Sequence, residues 1–182
     1  MLRIKTRPRP SEKKEEGRKD FPTFYRAYER LVRSTLYHLI GKNDLDDLTQ
    51  QVFVRCWQKY SQFEGRSEES TWVIKIAINL AKDHWRKTKN HLQMAAEEQA
   101  LNLIDDRSLE SRASFENQQA LEKALNLLSF EHRSVIVLMY FQDLSLEEIG
   151  ELTDESLGTV KSRLHYARAE LRRLLLKMGI EV

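Results

Sequence analysis

Between residues 21 and 89 the apolar positions recur at three- and four-residue steps: Leu31, Thr35, Leu36, Leu39, Ile40, then Leu45, Leu48, Val52, Phe53, Cys56, Trp57 and Tyr60. Those steps trace one face of a helix. A break at 41–43 divides the run into two helices. Asn43 or Asp44 is placed to cap the second, and Asp44, Asp46 and Asp47 lie at the positive end of its dipole. A polar loop, 61–70, contains Gly65 and leads into a third helix starting near Thr71, apolar on most faces early and basic at its end. There Lys82, Arg86, Lys87 and Lys89 face Asp83, a local charge of +3.

From 91 to 117 the apolar pattern thins, and six acidic residues face two arginines, the composition of a linker. Helical periodicity returns over 118–182 with Leu121, Leu125, Leu128, then Val135 to Phe141, then Leu146, Ile149, Leu152, then Leu157, Val160, Leu164, and finally Leu171, Leu174, Leu175 and Met178. Four helices are expected there. Within them Ser145-Leu-Glu-Glu148 is a capping box that starts a short helix. A turn at 153–156 and a new helix from about Leu157 complete helix-turn-helix grammar. The prediction is an all-α chain of two small helical domains, 21–90 and 118–182, joined by an acidic linker, 91–117.

Residues 1–20 carry eight Lys/Arg against four Asp/Glu with few apolar groups, so they are expected to be a disordered basic tail. That tail is either a solubilising extension or a nonspecific contact to nucleic acid or polymerase. All three prolines lie in the first 22 residues, which leaves the rest free to be helical. The six glycines are never closer than eight apart, which excludes the two Gly-rich phosphate cradles. The five histidines are at least seven apart, so no paired helix site for a catalytic metal is present and no cofactor or metal is expected. The single Cys56 fits a reducing compartment and a small apolar filler. No stretch approaches the roughly 18 apolar residues of a membrane span, and no leader-like N-terminus is visible, so a cytoplasmic protein with no membrane partner is expected.

Charge separates the two helices of the helix-turn-helix. Residues 142–156 hold six acids and no base, whereas 161–177 hold six bases and only Glu170. The second helix is therefore the one suited to phosphate, with Thr159, Lys161, Ser162, Arg163, His165 and Tyr166 as donors near its N-terminal end. The alternative is an ordinary solvated helix face. In the first domain Tyr60, Phe63, Trp72 and Trp85 interleave with bases around a loop and helix, a pattern suited to unpaired bases. Trp57 and Trp72 are more readily placed in the core. Asn79, polar inside an apolar run, is either a base reader or a buried amide tying the helix down.

The runs Asp46-Asp-Leu-Thr-Gln-Gln-Val-Phe-Val-Arg-Cys-Trp57, Ser70-Thr-Trp-Val-Ile-Lys-Ile-Ala-Ile-Asn-Leu-Ala-Lys-Asp-His84, and Leu144–Gly150 with Gly158–His165 carry a resemblance. Over 21–176, in order and spacing, the chain resembles the ECF (extracytoplasmic-function) sigma factors. The resemblance implies a region-two and a region-four domain and a transcription initiation factor without catalytic residues. Its partners would be core RNA polymerase and promoter DNA, with an anti-sigma factor left open. It maps core-polymerase contacts to Asp46, Asp47, Gln50, Gln51, Phe53 and Arg55. Opening and capture at the minus-10 element map to residues 63–71, chiefly Phe63 and Thr71, and to Lys75, Asn79, Lys82, Trp85 and Arg86. The minus-35 element maps to Ser156, Thr159, Lys161, Ser162, Arg163, His165 and Tyr166. The chain departs from the family's usual Leu-Pro at Leu128-Ser129, from a Glu at Gln51 and from a Pro near Ser156. Tyr166 stands where Arg is common, so the family's base contact does not carry over unchanged there. A freestanding helix-turn-helix regulator and a helical scaffold or unrecognised enzyme are the rival expectations.

Overall fold

The computed structural model describes residues 21–65, 67–95 and 112–180, with side chains over 21–65, 67–88 and 118–180. The expected tail, 1–20, and the middle of the expected linker, 96–111, lie outside the described residues. Among the described residues there are seven α-helices and no strand: α1 (Phe21–Ile40), α2 (Leu45–Lys59), α3 (Glu69–Ala95), α4 (Arg112–Leu127), α5 (Phe130–Tyr140), α6 (Leu146–Thr153) and α7 (Leu157–Lys177). A short 3-10 turn, Tyr60–Gln62, follows α2. Helices α3 and α4 both reach into 91–117, so helix continues at each end of the segment expected to be linker.

Helices α1, α2 and α3 pack pairwise around one interior. Phe24, Val32, Leu36 and Leu39 of α1 meet Leu48, Val52, Phe53 and Cys56 of α2 and Val73, Ile74, Ala77, Ile78 and Ala81 of α3. Two hydroxyls enter this interior at no cost in unmet hydrogen bonds: Thr35 Oγ1 donates to the Leu31 carbonyl at 2.8 Å and Thr49 Oγ1 to the Leu45 carbonyl at 2.7 Å. Gly41 ends α1 with φ 82° while its amide donates to the Tyr37 carbonyl. Asp44 takes φ 58° before α2 and makes no side-chain capping bond, so the expected cap is a backbone turn.

In the C-terminal unit α5 is buried on nearly every side, from Phe130 through Leu138, and packs on α7 and α6. Ser129 caps it by accepting from the His132 amide at 3.2 Å. The two units share one continuous core. Helix α1 touches α4 and α5, and α3 touches α5 and α6. The Tyr37 hydroxyl donates to Glu122 Oε1 at 2.6 Å, Trp85 packs on Phe130 with ring centroids 5.9 Å apart, and His38 lies on Phe141 at 3.9 Å.

Candidate nucleic-acid and polymerase interface

The helix-turn-helix is built from local signals. Ser145 Oγ accepts from the Glu148 amide at 3.2 Å, and Glu148 Oε2 accepts from the Ser145 amide at 2.8 Å, so the capping box forms. The Ser145 amide first, and then the Ser145 hydroxyl, which also donates to Oε2 at 2.8 Å, hold the Glu148 carboxyl below its ordinary value. At the other end of α6 Asp154 takes φ 58°, and the amides of Asp154 and Glu155 both donate to the Gly150 carbonyl. A Cβ on Gly150 would stand 2.9 Å from the Glu155 carbonyl oxygen, so only glycine lets the turn pass this close. Ser156 then caps α7, its Oγ accepting from the Thr159 amide at 3.2 Å.

This places the seven minus-35 candidates in two groups. Thr159, Lys161, Ser162, His165 and Tyr166 are exposed on α7, Tyr166 at 63%. Ser156 is exposed but its hydroxyl is engaged as the cap, and Arg163 is half-buried with its guanidinium on the Glu155 carboxylate. Arg163 thus braces the turn. Arg168 and Arg172, which sequence reasoning did not single out, join Lys161 and His165 along a groove of about 680 Å³ floored by Ile136, Leu164 and Leu175. Their signal in the sequence was the alternation of four- and three-residue steps that runs from Lys161 through His165 and Arg168 to Arg172.

On α3 the minus-10 candidates Thr71, Lys75, Asn79, Lys82 and Arg86 follow one another at three- and four-residue steps and share a face. Asn79 is exposed, so it is not a buried amide. Arg86 pairs with Asp83 on its own helix. Lys75 Nζ donates across the seam to Asp154 Oδ1 at 2.9 Å, and half-buried Trp85 packs on Phe130. Phe63 is half-buried against Trp72, ring centroids 5.2 Å apart.

On α2 the expected contacts Asp46, Asp47, Gln50, Gln51 and Arg55 are exposed, and Asp46 accepts from Arg33 at 2.5 Å. Phe53 corrects the expectation. It is buried at 3%, with Tyr25, Phe24 and Phe21 ring centroids 4.4, 6.3 and 6.5 Å away, and serves as core. Its neighbour Val54, 54% exposed, is the apolar group on the open face. Trp57 is likewise exposed at its edge rather than core, against the ring of Phe21. Cys56 is fully buried, and burial pushes its thiol up to about 12.

Residues 24–91 match the family model Sigma-70 region 2, and residues 124–173 match Sigma-70, region 4. The chain is 32% identical over 158 residues to the ECF RNA polymerase sigma factor SigW of Bacillus subtilis (strain 168), covering 81% of this chain and 84% of that one. The chain belongs to the ECF sigma factors. As an ECF sigma factor it is a transcription initiation factor that directs RNA polymerase to promoters. It is also 30% identical to the Bacillus subtilis factor SigX over 164 residues, covering 84% of this chain and 82% of that one. Among solved structures, the sigma factor RpoE of Bartonella quintana, crystallised with the anti-sigma factor NepR, superposes with a TM-score of 0.69 at 26% identity, over 86% of this chain and 97% of that one. CnrH, solved with the cytosolic domain of CnrY, shares the fold with a TM-score of 0.65 at 21% identity, over 91% of this chain and 94% of that one. Among the described residues of this ECF sigma factor, no helix is long and apolar enough to cross a membrane, and no cluster of metal-ligating side chains forms.

Proposed function

We propose that this sigma factor works through three surfaces and has no catalytic group of its own, the enzyme being its partner. Asp46, Asp47, Gln50, Gln51 and Arg55 on the open face of α2 contact core RNA polymerase. Phe63, Thr71, Lys75, Asn79, Lys82, Trp85 and Arg86 capture the opened minus-10 element, where stacking and hydrogen bonds offset the few kcal/mol of unstacking. Thr159, Lys161, Ser162, His165 and Tyr166 on α7 meet the minus-35 duplex, with Ser156 and Arg163 setting the pose of the helix. Residues 21–90 form region two, 91–117 the linker and 118–182 region four, with 1–20 a basic tail. An anti-sigma factor is a further partner, by analogy with the relatives solved in such complexes.

The observation that carries this reading is the α6–turn–α7 frame, capped at both helix starts, with an exposed basic face on α7 alone. The test is run-off transcription on genomic promoter fragments with core polymerase alone, this protein alone, and both. Transcripts from the pair only are expected. Tight duplex binding by the protein alone, without core-dependent transcripts, would hand the case to a freestanding helix-turn-helix regulator.

A further inference from the structure

Tyr60 and Glu69 bracket residues 61–68, the stretch that the minus-10 reading makes the place of base capture. They are bonded to each other: the Tyr60 hydroxyl donates to Glu69 Oε1 at 2.8 Å. The second carboxylate oxygen, Oε2, accepts from the Tyr28 hydroxyl of α1 at 2.9 Å. One side chain therefore closes the neck of the loop and ties it to a different helix, using both of its oxygens in charge-assisted bonds. Burial first, and the Glu69 bond after it, push Tyr28 up to about 12, so that hydroxyl stays a donor throughout the neutral range.

The clip holds aromatic rings in place. Tyr28 and Tyr60 both pack on Phe24, with centroids 5.0 and 5.3 Å away. Tyr60 stands edge-on to Trp72 at 6.2 Å, and Phe63 lies 5.2 Å from Trp72 and 6.4 Å from Tyr60. The row runs from the buried Phe24 to the loop, and Trp72 is one helical turn before Lys75 on α3. A loop with Gly65 at φ 68° would otherwise lose conformational entropy each time it closed on a base. By charge alone Glu69 reads as one more solvated acid. Its lone pairs face the two tyrosines instead.

We infer that Glu69 is a positioning residue for base capture at the minus-10 element, clipping Tyr60 to Tyr28 so that Phe63 and Trp72 stand as a preformed stacking wall. The inference rests on the minus-10 reading above. The test uses the full chain with core RNA polymerase on a promoter fragment recovered with the wild-type holoenzyme. Each template is made as full duplex, with the minus-10 element premelted by mismatches, and with each minus-10 base varied.

Glu69→Ala, which removes both charge-assisted hydrogen bonds, should slow opening of the duplex by about tenfold or more. It should also flatten the base preference within the minus-10 element, lose much less on the premelted template, and leave core affinity and minus-35 preference unchanged. Tyr60→Phe, which removes one hydroxyl and no bulk, should act in the same direction, and it carries the test if Glu69→Ala does not fold. Glu69→Gln, with a single acceptor oxygen, should fall between wild type and Ala. Wild-type opening rates and base preference in both Glu69→Ala and Tyr60→Phe would overturn the inference, as would equal losses at minus-10, minus-35 and core binding. No minus-10 preference in the wild type would instead sink the minus-10 reading, and this inference with it.

Discussion

Arg133 of α5 donates through Nη1 to the carbonyl of Leu39, in the last turn of α1, at 2.6 Å. Through Nη2 it donates to the Asn126 carbonyl of α4 at 2.7 Å. A single guanidinium thus serves last-turn carbonyls that their own helices leave without partners, one in each unit. Burial holds it down to about 10, so it remains charged at neutral pH. Arg133→Met should cost about 2–4 kcal/mol in urea denaturation, because the buried Leu39 carbonyl and the part-buried bond to Asn126 both lose their donor. Lys should not rescue it, since one ammonium lacks the planar fork that reaches both oxygens.

His38 gives the seam a pH response. Burial against Phe141 holds its imidazole below the ordinary 6.5, with Glu122 pulling the other way. The fold favours the neutral ring, so its contribution is complete above pH 6.5 and declines as pH falls from there towards the folded-state pKa. Urea midpoints measured across that window should slope downward with falling pH in the wild type and lose this component in His38→Gln.

Arg163 is expected to behave as a brace. With its guanidinium on Glu155, Arg163→Ala should weaken transcription by a similar factor, about threefold, on every minus-35 sequence tested. Tyr166→Ala, at an exposed position on the same helix, should instead change preference at one base pair. Relaxed preference at a single position in Arg163→Ala would show that the pair opens to let the arginine read DNA.

Gly150 tests the helix-turn-helix geometry. The Cβ of Gly150→Ala would meet a backbone oxygen, which cannot swing aside, so α6 and the turn must move at a cost of about 1–3 kcal/mol. Transcription from minus-35-dependent promoters should fall, while transcription from a premelted minus-10 template persists. Thermal melting of the variant measures the stability cost directly.

The helices and the helix-turn-helix were legible because their signals are local. The Ser145–Glu148 box needs only four consecutive residues, and it forms as read. Register on α2 was legible in the periodicity, which puts Leu48, Val52, Phe53 and Cys56 on the apolar face and Val54 off it; the resemblance alone set Phe53 among the exposed contacts. The outcome, 3% against 54% exposed, is set by the rings of Phe21, Phe24 and Tyr25 on another helix. The seam, by contrast, was invisible. Arg133 and Leu39 are 94 residues apart, Tyr37 and Glu122 are 85 apart, and no pattern within one helix records such pairs. Glu69 stayed hidden because its tyrosine partners convert an acid at the start of α3 into a structural acceptor.

Cys56 makes the interior of the N-terminal unit measurable. It is the one cysteine of the chain, fully buried among α1, α2 and α3, with a thiol that stays protonated. A thiol reagent reaches it only while that interior is open, so labelling under native conditions gives a single-site clock for local opening. Comparing the clock with global unfolding separates two behaviours: breathing of the three-helix unit alone, or opening of both units together across the shared core.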